Sequence, residues 1–326
     1  MDVYVPASPA LVATIVAALF AVLLAGGILA CQGPVRASRA AAWILLLVCV
    51  AGVERLTSSE PAGVRMLALI VAALLPLKIL VAVEERAQGG APLTFGRWLE
   101  FAAGWIGMQP AFFARSRQGP LRGAGALLAR GATHVALGAV LILAARFAWT
   151  STHSRLLATV LLLPGLSLFV HFGLCSLLAG FWRTRGVPCD ALFRAPLRST
   201  SLSEFWGRRW NLAFSEMTAI AVYRPLSPRV GRGAALFASF LVSGLLHEMA
   251  ISLPVRAGFG LPLLYFAIHG ALVLVERALA RAGRPLNGAL GRIWTLAALA
   301  LPLPLLFHRP FLEGIVWPLI GIEPSS

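Results

Sequence analysis

Apolar residues run through this chain in long blocks, interrupted by short gaps that hold most of its arginines. A helix needs roughly 20 apolar residues to cross a bilayer. Eight blocks approach that length, at 11–30, 40–53, 66–83, 123–148, 156–181, 233–253, 259–278 and 293–307, the second and eighth being short. None shows the period-two alternation of a half-buried strand. The pattern predicts an all-α protein: a polytopic membrane helix bundle of about eight transmembrane helices, forming a single domain over 1–326.

Two gaps are too apolar to be ordinary loops. Residues 95–113 (FGRWLEFAAGWIGMQPAFF) are rich in aromatics and carry charge only near their start, and residues 211–222 (NLAFSEMTAIAV) are similar. Such stretches predict interfacial or re-entrant helices. Backbone that enters a membrane without crossing it must be buried in protein or line a cavity. Two such segments on one side therefore predict an enclosed chamber that opens to the cytoplasm.

Composition sharpens this reading. The chain is 59% hydrophobic and only 13% charged, too little charge to solvate a soluble domain of this size. A net charge of +15 would suit nucleic acid if it lay along one solvated face. It lies instead in the gaps between apolar blocks. That is the pattern of cytoplasmic loops facing anionic lipid, so membrane lipids are expected partners and nucleic acid is not. With the N-terminus outside, the inward gaps hold 20 arginines and the outward gaps 6, while Lys78 and Arg130 fall within spans. The bias supports eight spans with both termini outside the cytoplasm; the expected setting is a bacterial inner membrane. The opening MDVYVPASPA has no basic stretch before the first block and reads as the lead into a retained helix. Cys31, Cys49, Cys175 and Cys189 are scattered with no CxxC pair, which predicts neither a disulfide framework nor a zinc site.

Polar groups inside spans are costly and are functional candidates. The sharpest is His247, 14 residues into the block that begins at Gly233. At 1.5 Å per residue this is roughly 21 Å deep, near or past the midplane. A neutral imidazole there can take a proton from an alcohol and return it later. A hydrogen-bonded structural histidine would fit the position equally well. Glu248 is adjacent, so on a helix it points about 100° away and is expected to pair with an intramembrane cation such as Arg130 or Lys78. The second feature is STSLSEFWGRRWN at 199–211. Ser201 or Ser203 can cap a helix with Glu204 in its first turn. Phe205, Trp206 and Trp210 supply apolar surface, and Arg208 and Arg209 supply charge beside it. That combination suits a nucleotide-and-phosphate head group with an acyl tail, such as acyl-CoA. An aromatic belt with snorkelling arginines has the same composition. His134, His171 and His269 lie in spans, and His153 and His308 near span ends. HExxH, GxSxG and P-loop patterns are absent, and no bound metal is expected.

The ordered set SLSEFWGRRWN (201–211), VYRPL (222–226) and SGLLHE (243–248), with GWIGMQP (104–110) upstream, resembles the membrane-bound O-acyltransferase superfamily and, within it, the wax-synthase-like branch. The motif-bearing core spans about 104–248. The resemblance implies a helical fold with a tunnel through the membrane. It also implies acyl transfer from acyl-CoA, a co-substrate and not a bound cofactor, to the hydroxyl of a lipophilic alcohol. The family's paired motifs supply an Asn and a His, which map to Asn211 and His247. His247 is then the general base toward the acceptor, and Asn211 the donor-side residue that positions the thioester or stabilises its developing charge. The competing expectation is a lipid or small-molecule transporter lined by intramembrane polar residues; no inverted repeat is visible to support it.

Overall fold

A computed structural model describes residues 2–117 and 119–323. Among these residues the chain is helical with no strand. Eight helices are long and apolar enough to cross a membrane. They are α1 (Pro9–Cys31), α2 (Val35–Leu56), α3 (Ala62–Ala87), α5 (Ala124–Thr152), α6 (Arg155–Thr184), α9 (Arg232–Val255), α10 (Leu261–Arg281) and α11 (Gly288–Leu306). Between them lie α4 (Phe95–Gly104), α7 (202–209) and α8 (212–230). Each block of the sequence has become one spanning helix. The short second and eighth blocks extended, because helical hydrogen bonding runs on through flanking arginines and small residues that the interface tolerates.

Two of the spanning helices start at side-chain caps. Ser8 accepts from Leu11 N at 3.3 Å and Ser154 accepts from Leu157 N at 3.3 Å. Glu60 reinforces the first of these by accepting from Ala7 N and Ser8 N. At the other end of α1, Arg86 donates to the carbonyls of Leu29, Ala30 and Gly33, where a cation meets the negative end of the helix dipole.

α3 is the central helix. Of its apolar window, 67% is buried, and no other span exceeds 33%. The outer helices turn Ile44, Leu47, Val48, Leu143 and Phe147 outward, which in water would be an aggregation surface and in a bilayer is the lipid face. One core cluster joins α1 to α4, part of α6, residues 187–193 and α8. Another packs α7 against α9, α10 and α11. A third seats α5 and α6 on residues 311–322.

The 95–113 stretch is not one helix. α4 ends at Gly104, GWIGMQP is irregular, and a single turn follows at Ala111–Ala114. α4 is drawn into the protein, with Trp98 and Phe101 fully buried and Trp98 Nε1 donating to Leu23 O at 2.9 Å, well inside α1. What holds the irregular loop is Lys78. Its ammonium donates to Phe101 O at 3.2 Å, Trp105 O at 2.8 Å and Gly107 O, and lies 3.9 Å from the Phe101 ring centroid. Three carbonyls that have left helical pairing and a buried cation solve each other's desolvation.

Glu248 therefore does not pair with Lys78 or Arg130. Its Oε1 accepts from Leu263 N at 3.0 Å, in the first turn of α10. Arg130 lies exposed on α5 within two turns of that helix's start, from where an arginine reaches the interface by snorkelling.

Candidate active site

The 199–211 motif opens as its residues predict. Ser201 caps α7 by accepting from Glu204 N at 3.0 Å. Glu204 reaches back to Thr200 N at 2.8 Å and pairs with Arg209 at 2.6 Å. The Thr200 N–H, with Arg209 beside it, holds the Glu204 carboxyl below the usual carboxylate range. A buried carboxylate from α10 completes the start of the helix. Glu276 accepts from Leu202 N at 2.6 Å, Ser203 N at 3.0 Å and Trp294 Nε1 at 2.9 Å.

α7 then widens to π-type bonding, with Trp210 N donating to Phe205 O at 2.8 Å. This extra residue per turn splits the aromatics. Phe205 stacks on Trp210 at 5.6 Å, and Trp210 meets Phe193 at 5.0 Å and His171 at 5.6 Å, toward α6. Trp206 faces the other way and meets Phe266 at 5.5 Å and His269 at 5.3 Å on α10. The arginines part as well: Arg209 is held by Glu204 and by the carbonyls of Arg194 and Ala195, whereas Arg208 is exposed.

Asn211 stands at the turn between α7 and α8. Arg194 N donates to Arg209 O at 2.7 Å and Leu212 N to Leu192 O at 3.0 Å, so both sides of the turn are pinned to residues 192–194. The chain reverses through a left-handed conformation at Asn211, with φ of 44°. Asn tolerates this conformation better than most residues with a side chain. Its Oδ1 accepts from Phe214 N at 3.4 Å and caps α8.

His247 closes the α-helical part of α9, and π-type bonding follows at Glu248–Ser252. Its Nδ1 lies 2.7 Å from Ser243 O. A carbonyl only accepts, so Nδ1 carries the hydrogen, and in the neutral imidazole Nε2 presents a lone pair. The ring sits between Phe214, at 5.2 Å, and Phe266, at 4.3 Å. Gly244 lets α10 come this close, since a Cβ there would stand 2.9 Å from Leu263 Cδ1 and 3.3 Å from Phe266 Cβ. The same phenylalanine, Phe214, thus contacts both Asn211 and His247.

GWIGMQP joins the site from the side. Gln109 Nε2 donates to Glu216 Oε1, one turn beyond the cap of α8. Burial pushes the Glu216 carboxyl up, with Gln109 opposing it. Between these two residues, Trp105 and Leu212 lies a cavity of about 30 Å³, the space of one water.

Sequence reasoning singled out Asn211, His247 and Trp206; the fold links Asn211 to His247 through Phe214 and Trp206 to His247 through Phe266. It sets Trp210, with Phe205 stacked on it, against His171, and leaves Arg208 at the surface. Sequence reasoning missed Phe214, Ser243, Phe266 and Glu276. Ser243 was visible as a polar residue four before His247; Glu276 carried no local signal, because its partners lie 74 and 73 residues earlier in the chain.

Residues 189–267 match the model of the family described as membrane bound O-acyl transferase. The match takes in Asn211, His247 and Phe266, and bears out the likeness read from the motifs. A probable long-chain-alcohol O-fatty-acyltransferase 6 of Arabidopsis thaliana is 35% identical over 125 residues, 35% of this chain and 36% of the relative. The long-chain-alcohol O-fatty-acyltransferase of Simmondsia chinensis is 32% identical over 108 residues, 30% of this chain and 31% of the relative. An acyl-CoA–sterol O-acyltransferase 1 of Arabidopsis thaliana is 35% identical over 95 residues, 27% of this chain and 28% of the relative. The chain spans about a third of the length of these curated relatives.

Proposed function

We propose that this protein is a membrane O-acyltransferase that moves a fatty acyl group from acyl-CoA to the hydroxyl of a lipophilic alcohol. One observation carries the reading. Within the matched segment, the Nδ1 of His247 is bonded to Ser243 O, which leaves Nε2 for an acceptor in the neutral ring, and the His247 ring meets Phe214, whose backbone N bonds Asn211.

In this reading Nε2 of His247 accepts the proton of the acceptor hydroxyl as its oxygen attacks the thioester carbonyl. The tetrahedral oxyanion is stabilised by Asn211, whose amide Nδ2 is the donor atom left over from capping. Collapse of the intermediate expels the CoA thiolate, which takes the proton back from His247. No covalent acyl-enzyme and no bound cofactor are required. The acyl-CoA approaches from the arginine-rich face, with Arg208 as a phosphate contact, and Trp206 contributes apolar surface near His247. That face is the cytoplasmic one, and the bacterial inner membrane expected from the sequence is part of the proposal. The relatives are acyltransferases, so the transporter alternative is not favoured.

The test is acyl transfer by purified protein in detergent. Radiolabelled palmitoyl-CoA is offered with long-chain alcohols, diacylglycerol and sterol, beside His247→Ala. Ester from the wild type, and a loss of about 10²–10⁴-fold in the variant with its folding retained, is the expected result. Wild-type turnover in His247→Ala would end the general-base assignment.

A further inference from the structure

Glu276 is a buried carboxylate, 6% exposed, near the arginine-rich end of α10. Among the described residues it makes no ion pair. All three of its hydrogen bonds come from neutral donors: the first-turn amides of Leu202 and Ser203, and the indole of Trp294 on α11. A carboxylate stripped of water without a cation is costly to keep. Here it is offset by charge-assisted bonds and by the positive end of a helix. Leu202, fully buried among Phe240, Tyr265, Phe266 and Val273, seats the same turn by packing.

The far end of α10 is held in the same way. Glu248, next to His247, accepts from Leu263 N in the first turn of α10. From Leu263 to Glu276 is 13 residues, roughly 20 Å of rigid helix. One carboxylate therefore ties α10 to the residue beside His247, and another ties the segment that leads to Asn211 onto α10. Between the two anchors, Phe266 and His269 touch His247 and Trp206.

We propose that Glu276 is a positioning residue: it holds the segment 202–211 at a fixed register on α10 and so sets where Trp206, Arg208 and Asn211 stand relative to His247. The positioning part rests on the acyltransferase reading; the anchoring part does not. Glu276→Gln is the sharpest variant. It keeps the shape and one acceptor oxygen, but turns an NH₂ toward an amide or indole that also donates.

Two measurements separate the parts. Hydrogen exchange on the full-length protein in detergent reads the anchor. In Glu276→Gln the amides of 200–211 are expected to exchange about tenfold faster, with peptides of α3 unchanged. Trp294→Phe, which removes only the indole donor, is expected to raise the same rates by a smaller factor. It also stands in if Glu276→Gln does not fold. The second measurement is steady-state transfer with acyl-CoA and alcohol varied separately. In Glu276→Gln the KM for acyl-CoA is expected to rise about tenfold and the KM for alcohol to hold, a split that general loosening would not produce. Unchanged exchange over 200–211 in both variants overturns the anchor, whatever the activity. Faster exchange with both KM values and kcat at wild type overturns the positioning role. Faster exchange in a protein whose wild type transfers no acyl group leaves the anchor standing and overturns the acyltransferase reading.

Discussion

At the scale of single residues, Asn211 does two jobs with one side chain. Its φ of 44° and its cap to Phe214 N make it a structural residue. Its bond to Phe214, whose ring meets His247, makes it a candidate for chemistry. Substitution separates these roles. Asn211→Gly keeps the left-handed turn at little cost, since glycine has no Cβ to strain, and a Gly cap loses only a few tenths of a kcal/mol. Asn211→Ala loses the cap and strains the turn, for about 1–2 kcal/mol together. If Asn211 stabilises the oxyanion, both variants lose transfer by about 10²–10³-fold, although the glycine variant melts near the wild type. Activity that follows the melting temperature, high in the glycine variant and low in the alanine variant, would reduce Asn211 to a cap. The motif showed that an Asn belongs here. It did not show the left-handed turn, which comes from two backbone hydrogen bonds to residues 192–194.

Among elements, the informative parts are those that are neither spans nor loops. α4 and GWIGMQP fold as they do because Lys78 reaches out of the central helix and gathers three carbonyls. In the sequence Lys78 is a lone charge inside an apolar block, the profile of a functional residue. Its partners are backbone atoms 23 to 29 residues away, which no side-chain pattern reveals. Lys78→Met removes the donor and leaves the carbonyls buried without partners. The expected loss is about 3 kcal/mol, read as a lower melting temperature in detergent. Hydrogen exchange should rise first over 101–109. A melting temperature equal to wild type would mean that the loop finds other donors. The splitting of the aromatics in 205–210 is a similar case. Spacing on a regular helix cannot anticipate an inserted residue in one turn, and the π-type turn sends Trp206 toward α10 and Trp210 toward α6.

For the whole molecule, hydrogen bonds near the helix ends tie the described residues together on two faces. Arg256 with Ser58, Arg65 with Leu253 and Pro254, and Tyr4 with Ile315 tie one face together. Leu121 with Arg183, Arg224 with Gln88, and Arg86 with Gly33 tie the other. This is what eight crossings require, with both described ends of the chain on the first face. The orientation proposed from the arginine bias puts the second face in the cytoplasm. All four cysteines are free, so they can be replaced and single cysteines introduced at exposed Ser59 and Arg284. In intact cells a membrane-impermeant thiol reagent should label Ser59→Cys and spare Arg284→Cys until the membrane is opened. The reverse pattern would invert the orientation and put Arg208 on the wrong side for cytoplasmic acyl-CoA.

The sequence by itself determined the class, the number of spans, and the pair of motifs around Asn211 and His247. Those depend on local composition: the length of an apolar run against a bilayer, the side on which arginine collects, and short ordered strings. Only the tertiary structure decided which face of each motif meets which helix. It turned Glu248 away from the cations and onto the amide of Leu263. It gave His247 its tautomer through a carbonyl four residues back. It brought Glu276 onto a helix start more than 70 residues earlier. In each case the deciding partner is a backbone atom, an amide or carbonyl that every residue carries and whose availability depends on where a helix begins, widens or ends.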